Sequence, residues 1–84
     1  MSWKEIKNAE TGARELQKTF KFKDFVSAWG FMTQVALIAE KMGHHPDWSN
    51  SYNEVKISLT THSAGNSVTA KDRTLAEEID KINV

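Results

Sequence analysis

Apolar residues recur along the chain with two different periods. Between Glu15 and Phe22, Leu16, Phe20 and Phe22 share one parity while Glu15, Gln17, Thr19 and Lys21 share the other, with Lys18 as the interruption. Such alternation predicts a strand with one buried and one solvated face. A second strand of this kind is predicted where Val55, Ile57, Leu59 and Thr61 alternate with Lys56, Ser58, Thr60 and His62, which puts His62 at the strand's end on the polar face. Between the two the period lengthens. Phe25, Trp29, Met32, Ala36 and Ala39 are separated by alternating steps of four and three, Ala28, Phe31, Val35, Ile38 and Met42 form a neighbouring row, and Val26 and Leu37 widen the apolar surface. That spacing predicts a helix. Asp24 is placed to cap or charge its start, Gly43 suits the left-handed position beyond its end, and Pro46 forbids continuation, so the helix should stop at about Met42.

Shorter segments complete the order. Trp3 and Ile6 predict a brief first strand, followed by a turn-rich stretch from Asn8 to Ala13. Trp48 to Tyr52 reads as a short strand before a turn at Asn53-Glu54. Thr69 with Asp72 three positions later resembles a capping box, and Leu75, Ala76, Ile79 and Ile82 give the helix that follows one apolar stripe. The order β-β-α-β-β-α, with strands apolar on one face only, predicts an α+β fold in which both helices cover one side of a four-stranded antiparallel sheet and the polar side stays free. A helix apolar over most of its circumference needs cover on a second side, here expected from a neighbouring subunit.

The 84 residues allow one domain, residues 1–84, with a small core, and no linker or repeat divides them. Eleven cationic side chains balance eleven anionic ones, so the electrostatic pull toward phosphate backbones is missing and direct nucleic-acid binding is not expected. With no cysteine, disulfides, thiol nucleophiles and thiolate metal sites are all excluded. The longest apolar run, Val35 to Ala39, is far too short to span a membrane, and Met1-Ser2-Trp3-Lys4-Glu5 lacks the basic start and apolar stretch of a leader. The expectation is a soluble, cytoplasmic protein.

Candidate chemistry gathers around the three histidines. His44 lies four residues after Glu40, one helical turn, close enough for the carboxylate to hold its tautomer or favour its charged form. His45 precedes Pro46 and should be extended, turning its ring away from that of His44. His62, on the polar parity, is placed to meet the pair. Three imidazoles around one polar hollow suit a reaction that protonates a poor leaving group and removes a proton elsewhere on the same substrate, with no nucleophile required. Other readings compete. The histidines could bind zinc, but adjacent side chains diverge and no HxxxH pair is present. Glu40 could be a solvated helix-end residue, Asp72 is explained by its capping role, and Trp48 and Tyr52 are equally suited to packing or to stacking on a flat heterocycle.

In these residues the sequence resembles the pterin-4a-carbinolamine dehydratase family, also called the dimerisation cofactor of a hepatocyte homeodomain transcription factor. The family pattern of acidic residue, His-His-Pro, aromatic, His and Asp is matched by Glu40, His44-His45-Pro46, Tyr52, His62 and Asp72. The likeness runs over nearly the whole chain, including Phe22-Lys23-Asp24-Phe25, Gly30-Phe31-Met32-Thr33 with Val35-Ala36, and Leu59-Thr60-Thr61-His62. It implies a four-stranded antiparallel sheet with helices on one face, dimers built by sheet extension, and often tetramers built through helices. The helix that commonly precedes the strand near Trp3 is expected to be absent.

The resemblance further implies dehydration of 4a-hydroxytetrahydropterin to quinonoid dihydropterin, the recycling step after aromatic amino acid hydroxylation. His44, His45 and His62 would be the acid/base groups, Glu40 an orienting or charge-stabilising partner and Asp72 a more distant support. Pro46, Trp48, Thr61 and Ser63 would border the pterin. No metal or tightly bound cofactor is implied. The competing expectation is a non-catalytic binding module that stabilises a partner's dimer, such as a transcription factor's.

Overall fold

The computed structural model describes residues 3–82; residues 1–2, which belong to the start read above for a leader, and residues 83–84 lie outside the described residues. Strands β1 (Lys4–Lys7) and β2 (Arg14–Lys21) form a hairpin closed by Asn8, whose side-chain oxygen accepts from the N–H groups of Glu10 and Thr11. Helix α1 (Phe25–Met42), strands β3 (Asp47–Ser51) and β4 (Glu54–Leu59), a single 3-10 turn (His62–Ala64) and helix α2 (Ala70–Asp80) follow. The strands make one antiparallel sheet in the order β1-β2-β4-β3. This is the predicted α+β architecture.

Register explains which face is buried. Leu16 stands opposite Leu59, Lys18 opposite Ile57 and Phe20 opposite Val55, so all six side chains share the helix-covered side. There Leu16, Val55, Ile57 and Leu59 meet Ala28, Phe31 and Val35 of α1 and Leu75, Ala76 and Ile79 of α2 in one core. Lys18, the break in the alternation, does not point to solvent. Its side chain is only 10% exposed, and its ammonium lies over the Trp3 and Phe20 rings while ion-pairing with Asp80 at 2.8 Å, so the end of α2 is tied to the sheet. Glu5 makes a second tie: hydrogen bonds from Arg73 of α2 and Arg14 of β2 hold its carboxyl below the ordinary value.

Asp24 caps α1 by accepting from the Ser27 N–H at 2.8 Å. At the other end Gly43 is left-handed (φ 65), its N–H bonding the Glu40 carbonyl while that of His44 bonds the Ala39 carbonyl, a Schellman stop. The predicted strand from Val55 to His62 ends three residues early, at Leu59. Its partner β2 begins at Arg14, whose carbonyl is taken by the Thr60 hydroxyl at 2.7 Å, and Thr61 bridges instead to Ser67. His62 therefore starts the 3-10 turn rather than ending a strand.

The far side of α1 stays uncovered by the described residues. Phe25, Val26, Trp29 and Leu37 are 46%, 77%, 56% and 69% exposed. Among the described residues, no helix is long and apolar enough to cross a membrane.

Candidate active site

The left-handed turn at Gly43 swings the chain off the end of α1 and sends the two histidines in different directions. His44 goes inward. Its Nε2 lies 2.6 Å from Oδ1 of Asp72, and because an ionised carboxylate only accepts, Nε2 carries the hydrogen and Nδ1 is the ring nitrogen left over. His45 turns back along α1, with Nε2 2.9 Å from Oε1 of Glu40. The predicted one-turn pairing of Glu40 with His44 is therefore replaced by Glu40 with His45. An i,i+4 contact needs the helix to continue through the second residue, and α1 has stopped at Met42.

Asp72 is fully buried and accepts from three directions. Besides His44, its Oδ2 accepts from the Thr61 hydroxyl at 2.7 Å and from the Thr69 N–H at 2.9 Å, the second of these being half of the capping box at the start of α2. Since Thr61 spends its only hydroxyl hydrogen on Asp72, the 2.7 Å contact between Thr61 and Thr69 is a donation from Thr69. Burial alone would raise the Asp72 carboxyl. The hydrogen bonds from His44, Thr61 and Thr69 outweigh it, and the carboxyl sits below its ordinary value. Capping and imidazole support are one arrangement: the residue that starts α2 also orients His44 directly, rather than from a distance.

His62 arrives from the end of β4. Its Nδ1 lies 2.7 Å from Oδ1 of Asn66 and its Nε2 is 3.9 Å from Oδ2 of Asp47. Together Gly43, His44, His45, Thr60, Thr61, His62, Ser63 and Lys71 line an open hollow of about 240 Å³. So the three imidazoles, Thr61 and Ser63 come together. Pro46 and Trp48 are not in that lining: Trp48 faces the helix side of the sheet opposite Ile57 and packs against the core, and Tyr52 is 64% exposed in the β3–β4 turn with a left-handed backbone (φ 51). Thr60, Gly43 and Lys71 are lining residues that sequence reasoning did not single out. Lys71 had a usable signal, since it precedes Asp72 at the helix start that the capping box had located. Among the described residues, no three His, Asp or Glu side chains converge as a metal-binding group.

The hollow is lined by imidazoles of which two keep one ring nitrogen clear of the partners just named, Nδ1 of His44 and Nε2 of His62, with Thr60, Thr61, Ser63 and Lys71 beside them. Proton transfer at two points of one ligand is the chemistry such a lining supports.

Comparison with known proteins gives this arrangement a family. A "Putative pterin-4-alpha-carbinolamine dehydratase" of Prochlorococcus marinus is 55% identical over 69 residues, covering 82% of this chain and 72% of its own. One of the same description from Rhodospirillum rubrum is 56% identical over 73 residues, covering 86% and 75%. A crystal structure of a transcriptional coactivator/pterin dehydratase from Brucella melitensis superposes with a TM-score of 0.82 at 45% identity, covering 93% of this chain and 78% of that one. The family profile described as pterin 4 alpha carbinolamine dehydratase matches residues 1–82, and with that extent of agreement the chain belongs to this family.

Proposed function

We propose that the protein dehydrates 4a-hydroxytetrahydropterin to quinonoid dihydropterin, using imidazoles as general acid and base. The observation that carries this reading is the convergence of His44, His45 and His62 on one hollow, each with a separate partner in Asp72, Glu40 and Asn66. In the reaction the bond from C4a to oxygen breaks, the N5–H proton leaves, and the C4a=N5 double bond forms as water departs. Hydroxide is a poor leaving group until protonated. An imidazole's ordinary pKa of about 6.5 lets it give or take a proton near neutrality. His44, held by Asp72 through Nε2–H, takes the N5 proton at Nδ1, and protonated His62 gives a proton to the departing oxygen from Nε2. His45, aligned by Glu40, assists at the carbinolamine, while Thr61 and Ser63 border the pterin. Recycling of tetrahydropterin after aromatic amino acid hydroxylation is the setting in which this activity is useful.

Stopped-flow decay of chemically generated 4a-hydroxytetrahydropterin, followed with and without the purified protein, tests the reading. The protein is expected to accelerate the decay, and an unchanged spontaneous rate would overturn it.

A second reading, a protein-binding module, is favoured by the apolar strip of Phe25, Val26, Trp29 and Leu37. The occupant proposed for the strip is a second copy of this chain, packed helix against helix in a homodimer or homotetramer. Leu37→Glu is expected to reduce the mass measured by light scattering at micromolar concentration. A wild-type monomer, or equal masses for both proteins, would remove self-association as the reason for the strip.

A further inference from the structure

His62 is the least enclosed of the three site imidazoles, its side chain 71% exposed, and an exposed ring turns freely unless something holds it. Asp47 of β3 is 3.9 Å from Nε2, beyond hydrogen-bond reach, and the other charged or titratable groups around the ring are His44 and His45 after α1 and Lys71 on α2. Among the described residues, the one hydrogen bond to the His62 ring is with Asn66, whose Oδ1 is 2.7 Å from Nδ1.

Asn66 is itself fixed more firmly than a loop residue needs to be. Its backbone is left-handed (φ 57), a conformation asparagine tolerates better than most residues. Its carbonyl accepts from the Arg14 N–H at 2.8 Å, anchoring it to the start of β2, and its neighbour Ser67 is bridged to Thr61. Arg14 of β2 and the Thr61–Ser67 bridge therefore locate the Asn66 backbone on both sides, and the side chain reaches His62. An amide oxygen can only accept, so this contact requires hydrogen on Nδ1 and leaves Nε2 as the nitrogen that exchanges protons.

We infer that Asn66 is a positioning residue for His62, fixing the ring's orientation and its Nδ1–H tautomer so that Nε2 faces the hollow. The role in turnover rests on the dehydratase reading above; the tautomer does not. It also pairs the two imidazoles in complementary fashion: Asp72 grips His44 by Nε2 and leaves Nδ1, whereas Asn66 grips His62 by Nδ1 and leaves Nε2.

Two variants separate this role from loop closure. Asn66→Gly keeps the left-handed backbone easily and deletes only the acceptor, whereas Asn66→Asp keeps an oxygen acceptor in place. Nitrogen-15 NMR of the ring at a pH where it is neutral should show Nδ1–H in the wild type and in Asn66→Asp. In Asn66→Gly it should move toward the Nε2–H form that a free imidazole prefers. The kcat for carbinolamine dehydration is expected to fall on the order of tenfold or more in Asn66→Gly with KM little changed, the usual size of an outer-partner loss, and to recover most of that in Asn66→Asp. An unchanged His62 tautomer in Asn66→Gly, or equal rate losses in both variants, would overturn the assignment. A wild type with no dehydratase activity would sink the catalytic reading, and the tautomer measurement would still decide whether Asn66 positions the ring.

Discussion

Asp72→Ala is expected to lower the unfolding free energy by about 3–5 kcal/mol, since each buried donor left without an acceptor costs about 1–3 kcal/mol. Three donors, from His44, Thr61 and Thr69, lose their acceptor at once, and the start of α2 loses half its cap. A domain of 84 residues has only about 4–13 kcal/mol to lose. The alanine variant should therefore lose from about a quarter to all of its stability, as urea denaturation will show. Asp72→Asn keeps the shape and loses the charge; with its oxygen kept for the Thr61 and Thr69 donors, its NH2 group faces Nε2 of His44 and reverses that ring's tautomer, so it should stay folded and lose on the order of a hundredfold or more in kcat. The same pair predicts an acid dependence. The Asp72 carboxyl lies below its ordinary value of 3.8 in the folded protein, so the unfolded chain takes up the proton first as pH falls. Its contribution is complete above about pH 4 and is lost as pH drops through the lower folded value, so the stability of the wild type should fall more steeply in that window than that of Asp72→Asn. Equal acid slopes for the two proteins would show that Asp72 carries no such linkage.

Periodicity located β2, β4 and both helices, because strand and helix faces are local properties of the chain. What it misjudged depended on partners. Lys18 broke the alternation in a strand that keeps its register, since its ammonium, lying over the Trp3 and Phe20 rings, reaches Asp80. The end of β4 was set by where β2 starts, and nothing between Val55 and His62 records that. For the site, the spacing of Glu40, His44, His45, His62 and Asp72 was legible, but their pairing was not. The i,i+4 rule joined Glu40 to His44, while the left-handed turn at Gly43, itself legible, exchanged the partners. Asn66 carried no signal beyond following Gly65, for the hydrogen bond that anchors its backbone to Arg14 of β2 is one no local pattern encodes.

His62→Ala should slow the decay of 4a-hydroxytetrahydropterin by on the order of a hundredfold or more, with His45→Ala comparable, the usual contribution of acid/base catalysis. These two positions give the cleaner measurement. His62 and His45 are 71% and 64% exposed in their side chains, and exposed substitutions usually change stability by no more than about 0.5 kcal/mol, so a lost rate reports chemistry. His44→Ala cannot be read so simply, since it also leaves the buried Asp72 carboxylate without its imidazole. Departure of hydroxide is the step most sensitive to a missing proton donor, so added imidazole should restore part of the rate to His62→Ala, whose open hollow admits a small ring. A structural histidine would show neither the loss nor the rescue. If both variants fold and turn over at the wild-type rate, the hollow is not where the proton moves, and the uncovered face of α1 becomes the better guide to what this protein does.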